Sequence, residues 1–171
     1  MAIIKAVSGK NKGSIARVIH YIMKKEKTDL KLITGINCEG STDCIQQMKM
    51  TKAMYKKEGG RQYKHYVLSF HPDDFKDENG NLLANAAEKA HEIGVRLAQE
   101  LYGDRFEVIV STHLDRDHIH NHFFFNSTSF VDGKRFCNTK KDYRELRKKS
   151  DELCKEYGLS VIQNPGKGSQ K

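Results

Sequence analysis

Apolar residues recur at helical spacing in four stretches of the chain. The first stretch carries a single apolar stripe formed by Ile15, Val18, Ile19, Ile22 and Met23. Ser14 stands directly before it, where an N-cap is expected. The same spacing predicts three further helices, over residues 42–58, 84–101 and 140–157.

Short runs of β-branched and aromatic residues predict strands between these helices. They cover residues 2–7, 33–38, 63–70, 106–113 and 118–127. An Asp-Gly pair within residues 129–136 predicts one more hairpin. Because strands and helices alternate irregularly and the last strands are joined by a tight polar turn, we expect an α+β fold. Its mostly antiparallel central sheet is flanked by helices.

Length, charge and cysteine usage narrow the class of protein. The 171 residues suit one domain. We find neither an apolar run of the roughly 18–20 residues that span a bilayer nor the apolar core of a signal peptide, so we expect a cytoplasmic protein without membrane insertion. The net charge is +8, and residues 1–31 contain eight Lys or Arg against two Asp or Glu. Such a concentrated basic segment indicates a polyanionic partner such as nucleic acid. The four cysteines lack zinc-site spacing and are predicted to be free thiols.

Histidines are concentrated in one short stretch, because four of the eight lie within residues 113–122. Alternate residues of a strand share a face, so His118, His120 and His122 are expected to point the same way. If the preceding strand pairs antiparallel with this one, His113 lies opposite His120 or His118. With His120 opposite, the side chains of His113, His120 and His122 form a compact triangle.

Three converging neutral imidazoles suit a divalent transition metal and leave coordination positions open for a substrate. We therefore take His113, His120 and His122 as candidate metal ligands. Asp115 and Asp117 can accept the second ring N–H of a ligand histidine and fix its orientation. Two other interpretations of the histidine cluster stay open. It can be the solvated polar face of an edge strand, or it can be a purely structural metal site, although structural zinc sites usually include cysteine.

Tyr21 lies on the first predicted helix, away from the centre of its apolar stripe. Arg17 precedes it by four residues, and Lys24 and Lys25 follow at three and four, which are neighbouring positions on a helix. Nearby cations stabilise the charge on an attacking phenol oxygen and also bind phosphate. A surface position is the commoner explanation for a tyrosine alone, but a three-histidine site beside it favours a nucleophile.

The ordered motifs resemble those of the relaxase, or mobilisation nuclease, family of HUH endonucleases from conjugative and mobilisable elements. HLDRDHIHNHFFFNS at 113–127 is similar to the family's histidine motif, in which a strand and an asparagine, here Asn126, follow the histidines. RVIHYIMKK at 17–25 resembles the motif whose nucleophilic tyrosine falls on Tyr21. HYVLSFHP at 65–72 resembles a strand near the DNA. The resemblance spans nearly the whole chain and favours the MobP- or VirD-like branch with one catalytic tyrosine.

This resemblance implies a palm-like sheet related to the RNA-recognition-motif fold over residues 1–162. Residues 163–171 are expected to form a linker or tail leading to a further region. The implied activity is site- and strand-specific nicking of single-stranded origin-of-transfer DNA. Attack by Tyr21 leaves a 5′-phosphotyrosyl link, from which the strands are later rejoined. The implied partners are that DNA, accessory relaxosome proteins and a coupling protein.

The resemblance also implies roles for single residues. A divalent ion, Mn²⁺ or Mg²⁺, is expected at the three candidate ligands, and Asp115 is a candidate proton acceptor for Tyr21. His118, Asp117 and Asn126 are expected to support the ligands or replace one of them. The family pattern places a hydrophobic residue between its paired histidines, but Asn121 stands there, so His118 stays open as a ligand.

DNA contacts are expected from two groups of residues. Phosphate-binding candidates are the basic residues Lys5, Lys10, Lys12, Arg17, Lys24 and Lys25. Tyr63 and Tyr66 are candidates for stacking on bases, and a position in the core is the alternative for both.

Two other functions remain open. Replication-initiator and transposase nucleases of the HUH class usually carry their tyrosine after the histidine motif, where this chain has Tyr143 and Tyr157. A DNA-binding accessory protein with a structural metal site is the other possibility. A nicking assay with added manganese separates these alternatives.

Overall fold

The structure is a computed structural model that describes residues 2–7 and 14–161. A five-stranded antiparallel sheet forms its centre. The strands are β1 (Ile3–Ala6), β2 (Ile33–Ile36), β3 (Tyr63–Ser69), β4 (Val108–His113) and β5 (His120–Asn126). The helices are α1 (Ile15–Ile22), α2 (Cys44–Met54), α3 (Ala86–Tyr102) and α4 (Lys140–Glu156). Short 3-10 helices cover Leu30–Leu32 and Pro72–Phe75. The predicted α+β fold with an antiparallel sheet is confirmed.

The strands follow the spatial order β1-β3-β5-β4-β2, so β5 occupies the centre. On one side His122 is paired with Val67 of β3, and on the other with Ser111 of β4. His113 is paired with His120. Of the two registers that the sequence left open, this is the one that gives a compact triangle.

Each face of the sheet is covered by two helices, because side chains alternate between the faces along every strand. Phe123 and Phe125 point to the back face, where α3 and α4 supply the larger part of the core. Phe124 points to the other face, which we call the site face, and packs with Ile19 and Ile22 of α1 and with residues of α2. Both layers thus bury apolar surface against the strands, which stabilises the sheet from two sides.

Local sequence explains where two of the helices begin. The Ser14 side chain accepts a hydrogen bond from the Arg17 backbone N–H, as predicted for an N-cap. At α4, Thr139 and Asp142 form a reciprocal capping box.

Some predicted elements are shorter in the structure. The second helix ends at Met54 rather than at residue 58, and Lys56 has a φ of 57°. Residues 129–136 turn back on themselves as the Asp-Gly pair predicts, but their antiparallel pairing is limited to one bridge, between Thr128 and Arg135. The Tyr55 hydroxyl donates to the carbonyls of Phe130 and Val131, so this segment folds over the end of α2.

Several predictions concern residues that the structure does not describe. Lys10, Lys12 and the expected tail over 163–171 lie outside the described residues. Among the described residues, no helix has the length and the hydropathy that crossing a bilayer requires.

Candidate active site

Three buried histidines converge on the site face where β4 ends and β5 begins. Their ring centroids lie 5.1 Å apart for His113 and His120, 4.1 Å for His113 and His122, and 5.2 Å for His120 and His122. One nitrogen from each ring lies within 4.8 Å of those of the other two. The strand alternation and the antiparallel register together produce this cluster, which we call the histidine triad.

The second nitrogen of each triad ring is held by another group. His113 donates from Nε2 to the Ile22 carbonyl at 2.7 Å, and His120 donates from Nδ1 to the His118 carbonyl at 3.3 Å. His122 Nδ1 lies 2.7 Å from Nε2 of His65. The nitrogens left for a ligand are therefore Nδ1 of His113 and Nε2 of His120 and His122.

The triad is uncharged at neutral pH because its rings are buried. Burial lowers the pKa of His113, lowers that of His120 to about 4 and lowers that of His122 far below the ordinary histidine value. Burial also lowers the pKa of His65 to about 4. Uncharged rings keep the nitrogen lone pairs that a metal requires.

The donor set fits a divalent transition metal. Nitrogens bound to one ion at about 2.1 Å in a tetrahedral arrangement lie roughly 3.4 Å apart, and the triad nitrogens lie within 4.8 Å of one another. Side-chain rotations that bring the three rings closer together would complete the ligand set. Three nitrogen ligands also leave coordination positions open, as catalytic sites do.

Tyr21 lies beside the triad at the end of α1. Its ring makes edge contacts with those of His113 and His122, at centroid distances of 6.5 and 6.4 Å. The Ile22 carbonyl accepts hydrogen bonds from the Ser111 hydroxyl at 2.6 Å and from His113 Nε2 at 2.7 Å, which fixes the end of α1 against β4. Tyr21 remains 40% exposed, so a substrate has access to its ring.

Among the described residues, Lys27 is a cation that the structure places at Tyr21, and the helical pattern did not predict it. Since α1 ends at Ile22, Lys24 and Lys25 lie in the following turn and not on the helix with Tyr21. Lys27 Nζ lies 5.0 Å from the centroid of the Tyr21 ring. Its backbone carbonyl accepts from the Leu114 N–H at 2.8 Å, so the turn runs alongside the end of β4.

Asp115 connects this lysine to the triad. One carboxylate oxygen accepts from Lys27 Nζ at 2.9 Å, and the other lies 3.9 Å from His120 Nε2. Asp117 is exposed in the same turn. His118 precedes β5, contrary to the predicted strand start, and its ring lies beside His120 at a centroid distance of 5.6 Å.

Three sequence-predicted site residues lie elsewhere. The Asn126 side chain donates to Met48 and Glu107, and lies four residues, roughly 13 Å, along β5 from His122. Its predicted support of the triad is therefore wrong. Tyr63 and Tyr66 are 7% and 1% exposed, so their predicted stacking on bases is wrong as well.

The burial of both tyrosines has a simple cause, since both faces of β3 are covered at their positions. Tyr63 stacks on Phe124, with a centroid distance of 4.8 Å. Tyr66 packs in the back-face core and donates its hydroxyl to Asn138.

Beside the triad, one strip of the site face is not covered by a helix of the described residues. Lys5 on edge strand β1 is paired with Val67, and Val67 is paired with His122, so the three side chains share the site face. Ile3, 41% exposed, lies two residues from Lys5 on the same face. Arg17, Lys24 and Lys25 are also exposed. The open strip, defined by Ile3, Lys5 and Val67, thus combines apolar and basic groups.

Asn121, between His120 and His122, supports the strands from the back face. Its side chain accepts from the Thr112 hydroxyl at 2.7 Å and donates to the Ala90 carbonyl at 3.1 Å. Thr112 is also bonded to His91 of α3 at 2.7 Å. The amide therefore connects β4, β5 and α3, which explains a polar residue where the motif has an apolar one.

Gly94 of α3 provides the space for this asparagine, so Gly94→Ala is expected to destabilise the protein by about 1–3 kcal/mol. A Cβ there would lie 2.6 Å from Asn121 Nδ2. Urea unfolding measures the change. Gly59→Ala is the control, since its Cβ meets nothing within 4 Å. Equal stability of the two variants would contradict the close packing at Asn121.

Comparison with known proteins identifies the family. Residues 21–159 match the family model of the relaxase, MobA/VirD2-like, nuclease domain. This chain belongs to the MobA/VirD2-like relaxases. The match begins at Tyr21 and includes the whole triad.

Similar proteins cover most of this chain, and a relaxase is named among them. A Protein rlx from Staphylococcus aureus is 34% identical over 161 residues, covering 94% of this chain and 44% of the relative. A second Protein rlx from that species is 32% identical, covering 90% and 44%. The group II intron-interrupted relaxase LtrB from Lactococcus lactis subsp. cremoris is 28% identical over 204 residues, covering 96% and 35%. The chain thus spans less than half the length of these relatives.

Proposed function

We propose that this relaxase domain nicks single-stranded DNA at an origin of transfer, with Tyr21 as the nucleophile and the histidine triad as the metal site. The observation that carries the proposal is the edge contact of the half-exposed Tyr21 ring with His113 and His122. A nucleophile and a phosphate-binding site must lie side by side for attack on one phosphodiester.

The proposed reaction exchanges one ester bond for another. The phenol oxygen of Tyr21 bonds to the scissile phosphorus, and the bond from phosphorus to the 3′ oxygen breaks. The phenol proton is lost, and the departing 3′ oxygen takes up a proton to become a hydroxyl. The 5′ phosphate stays on Tyr21, so the reverse exchange rejoins a strand without an external energy source.

The triad residues are proposed to hold a divalent cation, for which Mn²⁺ and Mg²⁺ are the candidates. Such an ion would polarise the phosphate and offset its charge. His113 also has a second task, because its Nε2–H holds the last turn of α1 and thereby the nucleophile. The same imidazole thus links the ligand set to the position of Tyr21.

Lys27 and Asp115 form the charged border of the proposed site. The hydrogen bond to Asp115 raises the pKa of Lys27, so its ammonium stays charged beside Tyr21 and favours a bound phosphate. The same bond lowers the pKa of Asp115. A carboxylate with a lowered pKa is a weak proton acceptor, so we favour Asp115 as the group that orients Lys27. Its role as the base for Tyr21 stays a prediction.

The open strip is the proposed path of the DNA strand next to the scissile phosphate. Its apolar groups, the exposed Ile3 and the half-buried Val67, suit bases, and Lys5 suits a phosphate. Lys5 is two strands away from His122, roughly 10 Å in the sheet, which is a distance that a few nucleotides cover. The strip takes the role that the buried Tyr63 and Tyr66 cannot perform.

Lys5→Ala is expected to weaken binding of a single-stranded oligonucleotide and to reduce the slope of log K against log salt by about 0.7, the loss of one phosphate contact. Fluorescence anisotropy at several salt concentrations measures this slope. Lys141→Ala is the matched control, because Lys141 is an exposed lysine on α4, the helix that packs on the back face. Equal slopes for the two variants would contradict the proposed path.

The proposed activity is tested with a supercoiled plasmid that carries the transfer origin of the element encoding this chain. We expect conversion to the nicked circle when Mn²⁺ or Mg²⁺ is added, and no conversion with a chelator. Specific DNA binding without nicking would instead indicate an accessory DNA-binding protein. Relaxosome proteins and a coupling protein stay predicted partners.

A further inference from the structure

His65 on β3 makes a buried contact with the triad that neither the nucleophile nor the ligand set accounts for. Its Nε2 lies 2.7 Å from Nδ1 of His122, and it is 5% exposed. In the sheet His65 is paired with Phe124 and His122 with Val67, so the two histidines are diagonal neighbours on the site face. The Phe124 ring makes an edge contact with His65 at 6.4 Å, which fixes the ring from the other side.

A hydrogen bond between two uncharged imidazoles contains one proton, so its direction sets the tautomer of both rings. If His122 donates from Nδ1, its Nε2 carries a lone pair directed at the triad. If His65 donates instead, His122 must carry its proton on Nε2, where it blocks ligation. Only the first arrangement allows His122 to bind a metal.

We infer that His65 is a positioning residue, which accepts the Nδ1 proton of His122 and thereby presents the Nε2 lone pair to the metal. This inference rests on the proposed metal site. A ligand histidine commonly gives its second N–H to a carboxylate, a carbonyl or a water. His113 and His120 follow that pattern with the carbonyls of Ile22 and His118. A neutral imidazole takes the acceptor position for His122.

The tautomer of His122 is measured directly on the metal-free protein, with long-range ¹H–¹⁵N correlation spectra of the imidazole rings. We expect the His122 proton on Nδ1 in the wild-type chain and a mixture of tautomers in His65→Phe, which keeps a planar ring but has no acceptor. A wild-type His122 protonated on Nε2 would overturn the inference, and so would an unchanged tautomer in His65→Phe. The wild-type spectrum decides even if the variant does not fold.

Calorimetric titration with Mn²⁺ provides the second test. His65→Phe is expected to lower the affinity about 10–100-fold, while His65→Gln keeps most of it because the amide oxygen can accept the same proton. His91→Phe is the control, since His91 is a similarly buried histidine of α3, bonded to Thr34 and Thr112. Its Mn²⁺ affinity should stay near that of the wild type. Equal losses of Mn²⁺ affinity in His65→Phe and His91→Phe would overturn the positioning role of His65.

The two tests separate this inference from the proposed function. If the wild-type chain does not bind Mn²⁺, the metal site itself is refuted, and the spectrum still reports whether His122 donates to His65. If the wild-type chain binds Mn²⁺ and His65→Phe binds it equally well, the metal site stands and the positioning role is refuted.

Discussion

Tyr21→Phe is expected to abolish the covalent protein–DNA adduct while leaving the fold, metal binding and DNA binding intact. The substitution removes one oxygen, and the ring that contacts His113 and His122 stays in place. Loss of a nucleophile costs on the order of 10⁴-fold or more in rate. The chain is incubated with a labelled origin strand and Mn²⁺, and the adduct is followed by denaturing electrophoresis. The attached label should be on the fragment downstream of the nick, because Tyr21 is proposed to take the 5′ phosphate.

Tyr143→Phe is the control for this experiment. Tyr143 belongs to α4, the helix packed on the back face, and its hydroxyl donates to the Ile4 carbonyl at 2.8 Å. Its replacement removes a hydrogen bond worth about 1 kcal/mol of stability, and the adduct should form as before. An adduct mapped to Tyr143 or Tyr157 would place the chain with the initiator-type nucleases and refute the role of Tyr21.

The arrangement of the triad was predictable because it follows from short-range regularities. Alternation along one strand places His120 and His122 on one face. The sequence left His113 opposite His120 or His118, and the structure has it opposite His120. The α+β class follows from similar local patterns. Tyr21 could be placed beside the triad only through its motif, since helical periodicity shows which side it faces but not what it meets.

The supporting residues were not predictable, because their contacts join distant parts of the chain. His65 and His122 are 57 residues apart, and Lys27 and Asp115 are 88 residues apart. No local pattern distinguishes His65 from an ordinary strand histidine, or Lys27 from an ordinary surface lysine. The wrong prediction that Tyr63 and Tyr66 stack on bases has the same reason. An aromatic residue on a strand fits a core or a stacking surface equally well until the helices covering each face are known.

His122→Ala is expected to lower the affinity for Mn²⁺ more than about 100-fold, beyond the usual effect of losing a supporting contact, and to stop nicking. Its ring supplies one of the three nitrogens that converge, and two remaining imidazoles are expected to hold the ion much more weakly. If the wild-type chain binds Mn²⁺ as proposed, the ion should stabilise it by about 2.7 kcal/mol at a hundredfold excess over Kd. Thermal unfolding with and without Mn²⁺ should therefore show a shift for the wild-type chain and almost none for the variant.

His120→Ala and His113→Ala should behave like His122→Ala. His118→Ala should keep most of the affinity for Mn²⁺, since the His118 ring lies next to His120 but is not one of the three that converge. His91→Ala provides the control for removing a buried imidazole: its unfolding temperature should fall, but the shift caused by Mn²⁺ should remain. Full loss of binding in His118→Ala would move the ligand set to include that residue. Unchanged affinity in a variant lacking both His120 and His122 would refute the metal site, because the convergence of these two rings with His113 is its structural basis.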